Sequence, residues 1–193
     1  MSVIKNKSFN KEELKGEDFE ETRFISCKFS KANLRFTGFK KCIFESCDFS
    51  GVIFNMTSFV KCKFPGSKLS NSDFSETTLK ECDFTNAIIK NSVFLRLKNG
   101  DKNTKIRWNL ETCVFERTDL SQTIFMRCNL KGVNFKNSLL KKTVFDNCWL
   151  EKANLSGADI SGTGFENSQI NQTIMNIAGF VKFGQSKGFI LEQ

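Results

Sequence analysis

Large apolar residues occupy every fifth position along almost the whole chain. The series begins at Phe9, reaches Phe94 in eighteen members without a gap, resumes at Leu110 and continues through fourteen members to Met175. Two positions before each large residue, the chain almost always has a small one such as Cys, Ala, Ser or Thr. The other three positions are mostly polar, so the sequence is a run of thirty-two similar five-residue units.

A period of five residues matches neither of the regular secondary structures. The apolar face of an α-helix recurs about every 3.6 residues and that of a β-strand about every two, so either would spread these residues over all faces. A coil that turns a corner every five residues instead buries one large and one small residue per side and exposes the other three. We therefore predict one solenoid domain over residues 1–175, interrupted by a loop at residues 95–109 and followed by a C-terminal segment at residues 176–193.

The composition restricts the chemistry that this solenoid could perform. The chain has 22 Phe, no Tyr and no His. Aromatic rings without a polar group predict a dry, stacked interior, and the missing imidazole removes the usual base or zinc ligand of many active sites. No apolar run approaches the roughly 18 residues of a membrane span, and the polar N-terminus lacks the apolar core of a signal peptide. We therefore predict a cytoplasmic protein with no membrane partner, no catalytic residue, no cofactor and no metal.

The cysteines follow the repeat. All eight lie at its small position: Cys27, Cys42, Cys47, Cys62, Cys82, Cys113, Cys128 and Cys148. A metal site or a disulfide framework has no reason to respect this phase, whereas a small side chain packed beneath a Phe does. Cysteines twenty residues apart, such as Cys42, Cys62 and Cys82, are predicted to stack in one column. We interpret the cysteines as reduced core residues, because no Cys-x-x-Cys motif supports zinc.

The first interruption of the repeat lies between Phe94 and Leu110. These residues are sixteen apart, so eleven residues exceed one unit, and Asn99-Gly100-Asp101 is a strong turn signal. The segment is basic, because it has one acid, Asp101, and five basic residues: Arg96, Lys98, Lys102, Lys105 and Arg107. Two interpretations stay open, a solvated surface loop and a partner-binding loop, since solenoids often carry function on insertions. Trp108 stands where a small residue is expected, which predicts an irregular unit directly after the loop.

The second interruption is the C-terminus, which is rich in apolar residues: Ile177, Phe180, Val181, Phe183, Phe189, Ile190 and Leu191. The residues up to Phe183 have helical spacing, Lys187-Gly188 resembles a helix stop, and the final apolar triplet fits a short strand. An open end of a solenoid needs covering, so we predict a cap. The segment has more apolar residues than a cap requires, which also predicts a homodimer contact.

The units of this chain resemble those of the pentapeptide-repeat family, as in Cys27-Lys28-Phe29, Ala32-Asn33-Leu34 and Cys82-Asp83-Phe84. This resemblance covers residues 9–175. It implies an all-β fold, a right-handed quadrilateral β-helix of about eight coils with a C-terminal helix and strand cap. Strands in neighbouring coils would lie about 4.8 Å apart, with residues twenty apart stacked above one another.

The solenoid, the mid-chain loop and the C-terminal segment together are similar to the quinolone-resistance (Qnr) branch of the family. This resemblance implies binding to DNA gyrase or topoisomerase IV, protection from quinolones, a likeness to B-form DNA and dimerisation through the C-terminus. The formal net charge of +8 favours an alternative, a rigid scaffold for another protein partner that does not mimic DNA.

Direct nucleic-acid binding is disfavoured, because the basic residues are scattered and no surface aromatics alternate with them. The dense acidic stretch is at the N-terminal end and forms a candidate contact surface: Glu12, Glu13, Glu17, Asp18, Glu20 and Glu21.

Overall fold

A computed structural model describes residues 1–95 and 107–192 of the chain. The described residues form short parallel strands and one helix. In chain order these are β1 (Ser2–Lys5), β2 (Asp18–Glu20), β3 (Thr22–Ile25), β4 (Gly38–Lys40), β5 (Ile43–Glu45), β6 (Ser58–Val60), β7 (Thr78–Lys80), β8 (Val93–Leu95), β9 (Trp108–Asn109), β10 (Ile124–Met126), β11 (Cys128–Asn129), β12 (Val144–Asp146) and α1 (Ile177–Ser186). Within these ranges, no helix combines the length and the apolar character that a membrane crossing requires.

Four parallel ladders form the four faces of the solenoid. The first face contains β1, β3 and β5, and the second consists of single bridges running from Ser8 to Asp159. The third face contains β8, β10 and β12, and the fourth contains β2, β4, β6 and β7 below β9 and β11. The predicted quadrilateral β-helix is therefore confirmed, since each face takes every fourth five-residue unit.

The large residues of the second face show how the coils are counted. Seven backbone hydrogen-bonded steps join eight levels: Phe9, Phe29, Phe49, Leu69, Ile89, Leu120, Leu140 and Ile160. Each step is twenty residues long except the one from Ile89 to Leu120, which is thirty-one. The longer step accounts for the eleven additional residues predicted between Phe94 and Leu110, and the ladder keeps its register from Ile89 to Leu120.

The interior consists of stacked rings. Phe29 and Phe49 lie with ring centroids 4.2 Å apart and nearly parallel, while rings on adjoining faces, such as Phe39 and Phe44, meet edge to face at 5.1 Å. Both are geometries that aromatic pairs prefer, so the dry aromatic core expected from the sequence is confirmed. Trp108 differs from the prediction: it is buried and pairs in register with β11. Its indole packs beside the rings of the interior and the ladder stays regular.

The small residues of the repeat also have a bonding role that the sequence analysis did not anticipate. Thr37 Oγ1 donates a hydrogen bond to the Leu14 carbonyl in the coil below over 2.6 Å, and Cys62 Sγ is 3.3 Å from the Phe39 carbonyl in the same arrangement. The separation of twenty-three residues recurs along the chain. Most buried hydroxyls and thiols at this position therefore have an acceptor, whereas the Ser72 hydroxyl has none among residues 1–95 and 107–192.

Helix α1 begins and ends with the residues expected of caps. The Asn176 side chain accepts a hydrogen bond from the Gly179 N–H at 3.0 Å. Gly188 has a φ of 87°, and the Phe189 N–H donates to the Gly184 carbonyl, which completes a Schellman motif. The predicted strand at residues 189–191 does not form. The Phe189 N–H is bonded to the C-terminal turn of α1, and residues 189–191 do not pair with a strand of the solenoid.

Candidate protein-binding surfaces

The C-terminal end of the predicted basic loop is attached to the wall of the solenoid. Arg96, Lys98, Lys102 and Lys105 lie outside the described residues. Arg107 Nε donates to the Asn147 carbonyl at 2.9 Å, and Nη2 donates to Asn147 Oδ1 at 2.6 Å. Asn147 belongs to a coil two levels higher, so the Arg107 side chain spans two coils. Its guanidinium donates hydrogen bonds within the molecule.

Trp149 lies between two cations on the fourth face. The Arg107 guanidinium is 4.4 Å from its ring centroid and Lys131 Nζ is 4.7 Å away, both within the range of cation–π attraction. Lys131 also forms an ion pair with Glu151. This cluster was not predicted from the sequence, although the aromatic residue in the outward position between Cys148 and Leu150 indicates it.

The acidic N-terminal end is largely neutralised by lysines. On the fourth face, Glu20 pairs with Lys40 at 2.8 Å and Glu21 pairs with Lys41 at 2.7 Å. The Lys41 ammonium lowers the pKa of the Glu21 carboxyl by hydrogen bonding and charge. Lysines also pair with two of the remaining acids, at 3.1 Å for Glu13 and 4.0 Å for Glu12.

The two other acids of this end, Glu17 and Asp18, have no ion pair among residues 1–95 and 107–192. The N-terminal end therefore presents far less negative charge than the sequence suggested. The sequence spacing explains these ion pairs, since Lys40 and Lys41 follow Glu20 and Glu21 by twenty residues, which is one coil.

The predicted C-terminal contact residues divide into a half-buried and an exposed group. The Phe183 ring packs edge-on against Phe165 at 5.6 Å and covers the end of the core, and Val181 is also half-buried. The others are exposed, over 63–95% of their surfaces: Ile177, Phe180, Phe189, Ile190 and Leu191. An apolar groove of about 320 Å³ lies between α1 and the tail.

A salt-bridged carboxylate joins α1 to the second face. Lys182 of the helix and Lys141 of the wall each lie 3.4 Å from Asp159. The pKa of Asp159 is lowered to about 2, first by the Ser161 hydroxyl and then by the Ser161 N–H and the two lysines. This contact helps to fix the direction of the helix on the solenoid.

An exposed apolar corner between the third and fourth faces was not found by the sequence analysis. The second residue after each large one turns the corner, mostly with a positive φ, and elsewhere it is polar or glycine. Phe36 and Met56 occupy this position one coil apart, with φ of 63° and 51° and exposures of 52% and 54%. The Arg35 guanidinium lies 4.9 Å from the Phe36 ring, and Ile53 is exposed in the Met56 unit. Bulky side chains are disfavoured at positive φ, so this corner has a steric and a hydrophobic cost.

The cysteine thiols belong to the core of the solenoid. All eight cysteines are free and buried, and burial raises the pKa of Cys47 to about 12 and that of Cys82 well above its usual range. The thirty-one-residue step also stacks Cys113 above Cys82, so the predicted column of Cys42, Cys62 and Cys82 has a fourth member. In the part of the chain that the structure describes, no three metal-ligating side chains are grouped to hold an ion.

Comparisons with known proteins agree with this architecture. A family profile described as a pentapeptide repeat region matches residues 37–99 and 106–175, and a second profile of pentapeptide repeats matches residues 18–55. No curated protein sequence matches the chain.

Two solved structures of QnrB1, a plasmid-mediated fluoroquinolone resistance protein, have a similar fold. A trypsin-treated form has a TM-score of 0.51 and 16% identity, over 100% of this chain and 99% of that one. The full-length form has a TM-score of 0.51 and 15% identity, over 97% of each chain. At these identities the likeness concerns the fold alone. With the five-residue period, the four ladders and profile matches over most of its length, the chain belongs to the pentapeptide-repeat family.

Proposed function

We propose that this chain is a non-enzymatic, cytoplasmic protein-binding solenoid. The observation that supports this most strongly is the corner formed by Phe36 and Met56. Large apolar side chains are exposed there at positive φ on a wall whose other corners are polar, and binding surfaces are enriched in such aromatic and Met residues. Eight free thiols fit a reducing compartment such as the cytoplasm.

The proposed partner is a type II topoisomerase, DNA gyrase or topoisomerase IV. The supporting observation is the likeness of the fold to QnrB1 along the whole chain. The resemblance of the mid-chain insertion and the C-terminal segment to the Qnr branch, noted in the sequence, points to the same partner. Four of the six N-terminal acids pair with lysines, so DNA mimicry is not part of this proposal.

The purified chain tests the topoisomerase proposal in a gyrase supercoiling assay with and without a quinolone. The expected result is a change in supercoiling activity, or a higher quinolone concentration for half inhibition, that saturates with added chain. A heat-unfolded sample of the same chain is the control. Unchanged supercoiling under both conditions, with no complex between chain and gyrase, contradicts the proposal.

The exposed C-terminal residues support a homodimer formed through α1 and the tail. Their apolar surfaces adjoin the groove beside α1, and a second copy would remove them from water. Sedimentation equilibrium is expected to give a dimer for the natural chain and a monomer for Phe180→Asp/Ile190→Asp. The control, Asn171→Asp, adds charge on the nearby top coil and should stay dimeric. A monomeric natural chain refutes this part of the proposal.

A rigid scaffold for a different protein is the second candidate function. The net positive charge and the paired N-terminal acids favour it, because neither suits a surface that competes with DNA. The two candidates differ in one measurable respect. A scaffold would bind a non-topoisomerase partner through Phe36 and Met56 while leaving gyrase activity unchanged.

A further inference from the structure

Basic and acidic residues that look scattered along the sequence lie on different faces of the four-sided solenoid. Each face takes every fourth unit, so neighbouring charges on one wall come from residues about twenty apart. Within residues 1–90, units of the first and second faces carry nine basic and three acidic side chains: Lys5, Lys7, Lys11, Arg23, Lys28, Lys31, Lys63, Lys68 and Lys90 against Glu45, Asp48 and Asp83. Units of the third and fourth faces carry six basic and nine acidic side chains. The lower half of the solenoid therefore has a side of charge +6 and an opposite side of charge −3.

Pairing strengthens this difference. On the fourth face, Glu20, Glu21 and Glu81 form ion pairs with lysines of neighbouring coils. On the basic side, six exposed lysines have no ion pair among the described residues, and we call them the lysine side: Lys5, Lys11, Lys28, Lys31, Lys63 and Lys68. Within residues 1–90, positive charge without an ion pair among the described residues is thus concentrated on two adjoining walls.

The ladder holds these lysines at fixed spacings. Lys28 and Lys68 bridge to Asp48 from below and above, so their backbones are two levels apart, about 10 Å at the usual strand spacing. Lys11 and Lys31 occupy the same corner in successive coils. Screening at physiological salt acts over about 8 Å, so the potentials of Lys11 and Lys31, about 5 Å apart at one strand spacing, overlap. Lys28 and Lys68 are farther apart than this and have Asp48 between them. The like charges of Lys11 and Lys31 repel each other, and an anionic partner would relieve this repulsion.

The surroundings of the lysines fit an acidic protein surface better than nucleic acid. Apolar side chains alternate with them on the first face, where Val3 is 52% exposed and Ile25 and Ile43 are half-buried. Such side chains gain contacts on a protein and nothing on phosphates. The wall is built from short strands and carries no helix that could enter a groove. Its one Arg, Arg23, is already paired with Glu45.

We propose that the lysine side is a docking surface for an acidic face of a protein partner. This rests on the proposed protein-binding function and adds to it the chemistry of the partner. It does not depend on that partner being a topoisomerase.

The test uses the full chain and fluorescently labelled poly-L-glutamate, with a labelled DNA duplex as the second probe, in anisotropy titrations at low and physiological salt. Lys28→Gln/Lys31→Gln/Lys68→Gln removes half of the lysine side. The matched control, Lys80→Gln/Lys136→Gln/Lys152→Gln, removes the same charge from exposed lysines elsewhere that also lack ion pairs among the described residues. Circular dichroism checks that both variants keep the fold.

Poly-L-glutamate is expected to bind, and the lysine-side variant to lose about tenfold in affinity, the loss that three exposed charge pairs of ordinary strength would give. The control should lose less than about twofold. Equal losses in both variants, or no binding at low salt, overturn the proposal. Duplex binding that survives physiological salt and exceeds poly-L-glutamate binding overturns it in favour of nucleic acid. If gyrase is unaffected while these affinities follow the expectation, the topoisomerase proposal fails and this inference stands.

Discussion

Replacing Phe44 by Leu tests whether ring stacking, beyond hydrophobic burial, stabilises the interior. Leu is a natural occupant of the large position in this chain, for example at Leu34. The Phe44 ring has six aromatic neighbours at centroid distances of 5.0–5.9 Å, namely Phe24, Phe29, Phe39, Phe49, Phe59 and Phe64. At about 0.5 kcal/mol per ring pair, the low end of the usual range, their loss costs about 3 kcal/mol.

Phe165→Leu is the matched control, because this ring has only two aromatic neighbours among the described residues, Phe145 at 5.5 Å and Phe183 at 5.6 Å. The same arithmetic gives about 1 kcal/mol, so the two variants should differ in the free energy of unfolding by about 2 kcal/mol. Urea unfolding followed by circular dichroism measures this, with an unchanged m-value required for the comparison. Equal destabilisation of the two variants would show that burial alone accounts for the core and would refute the stacking argument.

Three further predictions concern the corner, the helix and the thiols. Phe36→Asn should raise the free energy of unfolding by about 0.5–1 kcal/mol, because Asn tolerates positive φ and an exposed ring is removed; destabilisation in urea would contradict this. The lowered pKa of Asp159 means that its contacts to α1 are present above pH 3.8 and are lost as the pH falls through about 2; hydrogen exchange of α1 should show added opening over this interval in the natural chain and not in Asp159→Asn. A thiol-specific reagent should react with none of the cysteines in the folded chain at neutral pH and with eight after unfolding, since all eight thiols are buried; rapid reaction of the native protein would be inconsistent with this.

Most of the fold could be predicted from the sequence because the five-residue period is a direct record of which side chains face inward. The phase of the cysteines predicted their burial, and the sixteen-residue gap between Phe94 and Leu110 predicted an insertion of eleven. The same arithmetic could have placed Cys113 above Cys82. The tail at residues 189–191 was mistaken for a strand, because an apolar triplet carries no information on whether a ladder edge is within reach.

The surfaces were harder to predict, because their properties depend on neighbours one coil away. The acidic stretch around Glu20 and Glu21 looked exposed until Lys40 and Lys41 were placed above it. Arg107 looked available to a partner, yet it bonds to Asn147 forty residues later. The separation of basic and acidic residues onto different faces is visible only when residues twenty apart are compared.

The affinity of purified DNA gyrase for the full chain, measured by biolayer interferometry, tests the account most directly. The natural chain should bind, and Phe36→Asn/Met56→Asn should lose at least about tenfold, the effect of truncating an exposed apolar hot spot. Asn71→Gly/Asn91→Gly, which changes two corners of the second face, should bind as the natural chain does. Binding that is absent for the natural chain, or equal for all three proteins, would contradict the assignment of this corner as the site that binds gyrase.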